Sequence, residues 1–192
     1  MSNIIIDEEF KSLLPALDKQ TYASLEENLI QNGCRDALVL WGDTLVDGHN
    51  RYEICTKNGI PYNTVNKDFD SREEVLIWII STQVSRRNLN PVQLSNYRGL
   101  HYRADMIIVT NPAGKNQHGA KREVESHFET QPQTLATATR LSKIYDVSRP
   151  TIMRDARISK AIEAIGKASP EAKRMILSNE ASFKKEELYS RI

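Results

Sequence analysis

Residues 37–52 read Ala-Leu-Val-Leu-Trp-Gly-Asp-Thr-Leu-Val-Asp-Gly-His-Asn-Arg-Tyr, and they combine two short β-type runs with two turns. The apolar runs at 37–41 and 44–46 flank Gly42-Asp43, a pair of residues typical of a tight hairpin turn. A second turn at Gly48 follows directly, and helix-compatible residues continue from it to about Lys57. The stretch therefore predicts a β-hairpin whose second strand leads through a glycine turn into a helix.

Helices and one more strand flank this hairpin. Upstream, apolar residues recur at helical spacing between Thr21, the expected N-cap, and Gly33, the expected end of the helix. Downstream, a third strand is expected at residues 62–65. A helix should follow from a cap at Asp70 or Ser71 to about residue 84, and another should begin at Pro91. Mixed helices and strands in this order predict an α+β fold for the first part of the chain.

The segment 110–134 interrupts this pattern. It is polar, basic and rich in turn formers, so we expect a flexible linker or basic arm that orders on a partner. Helical patterns return behind it at 135–145, at 148–165 as one helix or two, at 171–177 and at 184–189. The predicted organisation is an α+β domain at 1–90, a helix and basic linker at 91–134, and an all-α domain at 135–192.

Residues 139–154, Thr-Arg-Leu-Ser-Lys-Ile-Tyr-Asp-Val-Ser-Arg-Pro-Thr-Ile-Met-Arg, fit a helix-turn-helix. Ser142 is the small residue that the motif needs where its helices cross, and Asp146 stands where the turn requires a residue that tolerates positive φ. Ser148 is the expected cap of the second helix, and Pro150 is tolerated in its first turn. The apolar residues expected to join the two helices are Leu141, Tyr145, Val147 and Ile152.

The second helix is the candidate recognition helix, which in this motif lies in the major groove. Arginine reads guanine through two hydrogen bonds, and threonine contacts bases or phosphates. The outward residues expected to meet DNA are Arg149, Thr151, Arg154, Asp155 and Arg157. Phosphate contacts are expected from four further cations, Lys115, Lys121, Arg122 and Arg140. The alternative is an ordinary helical hairpin with a basic exposed face.

Charge is unevenly distributed along the chain, although the net charge is only +1. Residues 1–80 hold 7 Lys/Arg and 14 Asp/Glu, whereas residues 81–192 hold 19 and 11. The basic second part favours a polyanionic partner such as double-stranded DNA. No apolar run is long enough to span a membrane and no signal peptide is evident, so a cytoplasmic protein is expected. Cys34 and Cys55 lack CxxC spacing and predict reduced, partly buried thiols rather than a disulfide framework or a zinc site.

The turn at residues 47–52 is a second candidate site. Backbone N–H groups at a helix N-terminus attract an anion, Gly48 allows a phosphate to approach the backbone, and Arg51 supplies a charged clamp. The alternative is a tight turn in which Asp47 or Asn50 caps the helix.

The order of these elements, with Gly48-His49-Asn50-Arg51 at the turn and Asn88-Leu89-Asn90-Pro91 after the following helix, resembles the N-terminal domain of ParB-type partition proteins, in the ParB/sulfiredoxin superfamily. In ParB proteins this turn reads Gly-Glu-Arg-Arg and binds the phosphates of CTP. The resemblance implies phosphate or nucleotide contacts from Gly48, His49, Asn50, Arg51 and Arg86. Arg86 is the one match to a second family box, whose magnesium-holding acidic residue has no counterpart here, and these departures argue against CTP hydrolysis.

Taken together, these features predict sequence-directed DNA binding by a ParB-like protein, in plasmid or mobile-element partition or in transcription regulation. The resemblance implies a partition ATPase as a partner, and helix-turn-helix proteins usually bind as dimers, although the family's C-terminal dimerisation domain is not evident in this sequence. One alternative is a nucleotide-binding switch with little or no hydrolysis. Another is a ParB-like nuclease that uses Asp43 and Asp47. Sulfiredoxin activity is not expected, because residue 49 is His and not the nucleophilic Cys.

Overall fold

A computed structural model of the chain describes residues 4–14, 17–85, 89–110 and 132–178. They form two compact units, one ending at Asp70 and the other beginning at Ser71. The predicted contact residues Arg86, Lys115, Lys121 and Arg122 lie outside the described residues, as does the predicted helix at 184–189. Among the described residues, no helix combines the length and the apolar character needed to cross a bilayer.

The first unit is a small mixed sheet with three helices. Its elements are β1 (Ile5–Ile6), α1 (Glu8–Ser12), α2 (Lys19–Asn32), β2 (Leu38–Trp41), β3 (Thr44–Asp47), α3 (His49–Asn58) and β4 (Thr64–Asn66). The strand order is β1-β3-β2-β4, with β2 and β3 antiparallel and both edge strands parallel to their neighbours. The predicted hairpin is confirmed as β2 and β3, and its turn residue Gly42 has a φ of 57°.

Two apolar clusters hold this unit together. One joins α2 to α3 through Leu29, Ile54 and Cys55, and the other contains Leu38, Leu40 and Leu45 of the sheet.

The N-cap of α2 is Asp18, whose carboxylate accepts from the backbone N–H of residues 20 and 21. The prediction of Thr21 as this cap is wrong, because its hydroxyl instead donates to the Asp18 carboxylate over 2.6 Å.

The second unit is entirely helical in its described part. It contains α4 (Arg72–Val84), α5 (Pro91–Thr110), α6 (Pro132–Ile144), α7 (Arg149–Ala168) and α8 (Pro170–Ser178). Ser71 caps α4, as one of the two predicted alternatives. The second helix of the predicted helix-turn-helix is one continuous helix, α7, rather than two. Helix α5 is the scaffold of this unit, since α4, α6, α7 and α8 all pack against it.

The compact units divide at a different place from the predicted limits at residues 90 and 134. Helix α4 was predicted within the domain at 1–90, but it packs along α5 and belongs to the helical unit. Helix α5 in turn shares a core with α6 and α7, formed by Tyr102, Met106, Ala138, Leu141, Ile152 and Ala156. The composition of the chain changes at residues 110–134, but α5 before this segment and α6 and α7 after it share one core.

Candidate nucleic-acid interface

Helices α6 and α7 are joined by a short turn at residues 145–148. The N–H of Tyr145 donates to the carbonyl of Leu141, and the N–H of Val147 donates to the carbonyl of Ser142, both over 3.0 Å. Asp146 has a φ of 50° and is the single non-glycine residue with positive φ in the described parts of the chain. The predicted left-handed turn position is therefore confirmed.

Ser148 caps α7, as predicted, and its hydroxyl accepts from the backbone N–H of Thr151 over 3.3 Å. Pro150 lies in the first turn, where its missing N–H removes no helical hydrogen bond. The two hydroxyl groups of Ser148 and Thr151 are also hydrogen-bonded over 2.8 Å. Thr151, a predicted DNA contact, is thus partly occupied in capping its own helix.

The apolar contact between the two helices forms largely where it was predicted. Leu141 and Ile152 are fully buried, and Tyr145 and Val147 are partly buried against the same cluster. Ser142, the predicted small residue at the crossing, is only partly buried, whereas Ala138 is fully buried one turn earlier in α6.

The outer side of α7 is basic. Arg149, Arg154 and Arg157 are exposed, and Arg149 and Arg154 have no ion-pair partner within the part of the chain that the structure describes. Arg154 and Arg157 are three positions apart, so their side chains leave the helix from adjacent positions. This surface carries the predicted DNA-reading arginines.

Asp155 does not belong to that surface, and its prediction as an outward residue is wrong. Its side chain is 2% exposed and accepts from Arg98 Nε over 2.6 Å. It also accepts a short hydrogen bond from the Ser95 hydroxyl. Gly99 lies so close to α7 that a Cβ there would stand 2.1 Å from the Asp155 carbonyl oxygen. Sequence reasoning missed this buried junction of α5 and α7, and the one available signal was Ser95, Arg98 and Gly99 at spacings that share a helix face.

A second polar junction fixes α6 and the turn to α5. The guanidinium of Arg140 donates to the carboxylate of Asp105, and Tyr145 Oη lies 2.5 Å from His101 Nδ1. Burial, with a smaller contribution from the Arg140 charge, lowers the pKa of His101 to about 4, so its ring is neutral near pH 7. Burial also raises the pKa of Asp105, which Arg140 partly counteracts. Arg140, a predicted phosphate contact, is half exposed at 52% and already paired.

The Gly48 turn has the predicted helix N-terminus but a different arrangement of charge. Gly48 has a φ of 96° and is the N-cap of α3, and no side chain caps the helix there. The alternative prediction of a cap by Asp47 or Asn50 is therefore wrong. The Asp47 carboxylate accepts from Arg51 Nη2 over 2.9 Å, and Arg51 Nη1 donates to the Asp36 carbonyl over 3.1 Å. Arg51 is thus held within the turn and is largely neutralised.

His49 is the unusual residue of this turn. It is 6% exposed, and neither ring nitrogen has a hydrogen-bond partner in the described parts of the chain. Burial lowers its pKa, against a smaller opposing effect of the Asp47 carboxylate. A neutral, buried imidazole beside uncapped backbone N–H groups can accept or donate one hydrogen bond to a group that enters the turn.

The two carboxylates of the nuclease alternative have different environments. Asp43 is exposed in the hairpin turn, and Asp47 is paired with Arg51. Across the described residues, no three His, Cys, Asp or Glu side chains gather closely enough to hold a metal ion.

Comparison with solved structures identifies the fold. Two structures of a pNOB8-like ParB N-domain match 97% of this chain, with TM-scores of 0.56 and 0.55 and sequence identities of 17% and 18%. The match covers 75% of the first of these chains and 70% of the second. No family model matches the sequence, and no curated protein matches it. The chain therefore has the fold of a ParB N-domain, and the predicted fold class, a ParB-like α+β part followed by a helical part, is confirmed.

Proposed function

We propose that this chain binds double-stranded DNA in a sequence-directed manner through α7, as a ParB-like protein of plasmid or mobile-element partition or of gene regulation. The observation that carries the proposal is the division of α7 into two faces. Its inner face is fixed against α5 and α6 by Ile152, Asp155 and Ala156, while Arg149 and Arg154 remain exposed and unpaired in the described part of the chain. The likeness to ParB N-domain structures supports a partition-related role.

In this proposal the arginines of α7 have different tasks. Arg154 reads a base edge, preferably guanine, and Arg149 and Arg157 contact bases or phosphates near it. Thr151 contacts DNA through its hydroxyl group, which can form a further hydrogen bond beside the one to Ser148. Arg140 reaches a phosphate only by sharing its guanidinium with Asp105. Lys115, Lys121 and Arg122 add further phosphate contacts.

The proposal is tested by selection from random duplex oligonucleotides with the wild-type protein, with Arg154→Ala and with Arg35→Ala. Arg35 is an exposed arginine of the first unit, so its variant removes the same charge without touching α7. We expect an enriched motif with wild type and Arg35→Ala, and its loss or degeneration with Arg154→Ala. A palindromic motif indicates that two copies bind together. If no motif is enriched, or if the same motif survives in Arg154→Ala, the assignment of α7 as the recognition helix is wrong.

A second candidate function, binding of a phosphate or of a nucleotide such as CTP, is favoured by the unpartnered His49 beside the uncapped end of α3. An incoming phosphate must compete with Asp47 for Arg51, because the two side chains are already paired. We expect Arg51→Ala to abolish CTP binding in a calorimetric titration and Arg35→Ala to leave it unchanged. A flat titration of the wild-type protein rules the nucleotide out.

A further inference from the structure

The two cysteines of the chain lie in one cluster. Cys55 is on the buried side of α3, and Cys34, which follows the last residues of α2, packs against the core that contains Cys55, Leu29 and Ile54. Cys34 is close enough to Cys55 to contribute to the raised pKa of the Cys55 thiol. Two cysteines that pack in one cluster can form a disulfide when their Cα atoms lie within about 7 Å of each other.

The two thiols differ in accessibility. Cys34 is partly exposed, whereas Cys55 is 1% exposed. The segment of Cys34 is open to solvent, since the side chain of Asp36 is 88% exposed. Burial raises the pKa of Cys55 to about 11, with a smaller contribution from the neighbouring Cys34 thiol. Cys55 is therefore a protonated thiol near pH 7, and a reagent from solution meets Cys34 first.

We propose that Cys34 and Cys55 are a redox pair that forms a reversible intramolecular disulfide when a hydroperoxide reaches Cys34. The Cys34 thiolate attacks the peroxide O–O bond, giving a sulfenic acid and releasing water or an alcohol. The Cys55 thiol then displaces the hydroxyl from the Cys34 sulfur, so that an S–S bond forms and a second water molecule leaves. The two thiols lose two electrons and two protons, which the peroxide accepts.

The pair lies next to the Gly48 turn. Cys55 follows Arg51 by four residues, one turn along α3. The Asp36 carbonyl accepts from Arg51 Nη1 over 3.1 Å and from Cys34 Sγ over 3.4 Å. Oxidation removes the Cys34 S–H donor and ties this segment covalently to α3. The redox state of the pair therefore acts on the backbone group that holds Arg51. Exposed disulfides are the more easily reduced ones, and the partly exposed Cys34 gives a reductant access to this bond.

The test is treatment of the reduced wild-type protein with hydrogen peroxide, followed by intact-mass measurement and thiol titration after unfolding. We expect the loss of both titratable thiols, a mass lower by two hydrogen atoms, a monomeric band without reductant, a higher Tm, and full reversal by dithiothreitol. Cys55→Ala should stop at the sulfenic acid of Cys34, which dimedone traps. In folded Cys34→Ser, Cys55 should remain unreacted.

Two results overturn the proposal. One is that the oxidised wild-type protein keeps two titratable thiols or gains oxygen atoms without a cross-link. The other is that Cys34→Ser reacts as fast as wild type. Circular dichroism of each variant checks folding, and the wild-type mass alone decides the point if a variant does not fold. The outcome is independent of DNA or nucleotide binding.

Discussion

Replacement of Gly99 by alanine tests the contact between the scaffold helix α5 and the candidate recognition helix α7. The added Cβ would lie 2.1 Å from the Asp155 carbonyl oxygen, 2.6 Å from its carbonyl carbon and 2.7 Å from Ser159 Oγ. Two of these three atoms belong to the backbone, which cannot turn aside as a flexible side chain does. The helices must therefore separate by more than 1 Å to bring the nearest distance from 2.1 Å to the 3.4 Å at which ordinary contact begins.

The expected cost follows from three contributions. Forcing a methyl group into a packed interior costs about 1–3 kcal/mol, and the backbone clash places Gly99→Ala at the upper end of that range. Alanine is favoured over glycine in a helix by about 1 kcal/mol, which offsets part of it. The net loss is then about 2 kcal/mol. If the separation also breaks the buried bond from Arg98 to Asp155, a further loss of about 3 kcal/mol follows.

The assay is equilibrium unfolding in urea, followed by circular dichroism, with Gly166→Ala as the matched control. Gly166 is also helical, but a Cβ there meets Cδ of the Lys173 side chain at 2.7 Å, and this flexible chain can move away. Gly166→Ala should therefore be neutral or more stable by up to about 1 kcal/mol. If Gly99→Ala is as stable as Gly166→Ala, the close approach of α5 to α7 is wrong.

Three further measurements address the rest of the molecule. Asp155→Ala should lower the free energy of unfolding by about 3–5 kcal/mol, because it leaves Arg98 buried and unpaired. The double variant Arg98→Met/Asp155→Leu should recover most of this loss, and equal stabilities of wild type and Asp155→Ala would contradict the buried pair. The unfolded chain takes up a proton at His101 near pH 6.5, whereas the folded chain, in which the pKa of His101 is about 4, does not. The free energy of unfolding should therefore fall by up to about 3 kcal/mol as the pH is lowered from 6.5 to 4, and this part of the pH dependence should be missing in urea unfolding of His101→Gln. Gly48→Ala should cost about 2–3 kcal/mol, since it combines a φ of 96° with a Cβ 2.6 Å from a leucine methyl, whereas Gly59→Ala, with a φ of 65° and open space around it, should cost only about 1 kcal/mol in the same urea assay.

Features decided by a few neighbouring residues could be predicted from the sequence. The turn between α6 and α7 depends on a residue that tolerates positive φ and on a hydroxyl cap, and Asp146 and Ser148 provide both at the predicted positions. The β2–β3 hairpin and the Gly48 turn depend on local turn chemistry in the same way. Even here the first turn of α2 was missed, because the polar residues before Thr21 give no apolar period and so hide the true cap, Asp18.

Features decided by distant residues could not be predicted. Charged side chains are usually exposed, so Asp155 was assigned to the outer face of α7. Its burial depends on Arg98 and Ser95, which are 57 and 60 positions away in sequence. The pairing of Arg140 with Asp105, 35 positions away, is hidden for the same reason. The closing of Arg51 onto Asp47 is local, at a spacing of four residues, but a positive residue beside an acidic one does not reveal whether it faces a ligand or its neighbour.

Ion pairs within the helical unit limit how many of its basic residues are free to contact DNA. Residues 81–192 hold 19 Lys/Arg, yet Arg98, Arg103 and Arg140 each bind a carboxylate of the same unit. All three pairs anchor α6 or α7 to α5. Successive residues of a helix point about 100° apart. Fixing Asp155 against α5 therefore fixes the direction in which Arg154 leaves α7. Buried ion pairs contribute little net stability compared with apolar residues of similar size, so the main consequence of the Arg98–Asp155 pair is orientation. The positive charge of the proposed DNA surface therefore depends on exposed arginines such as Arg149 and Arg154, and the total number of basic residues in the unit is a poor guide to it.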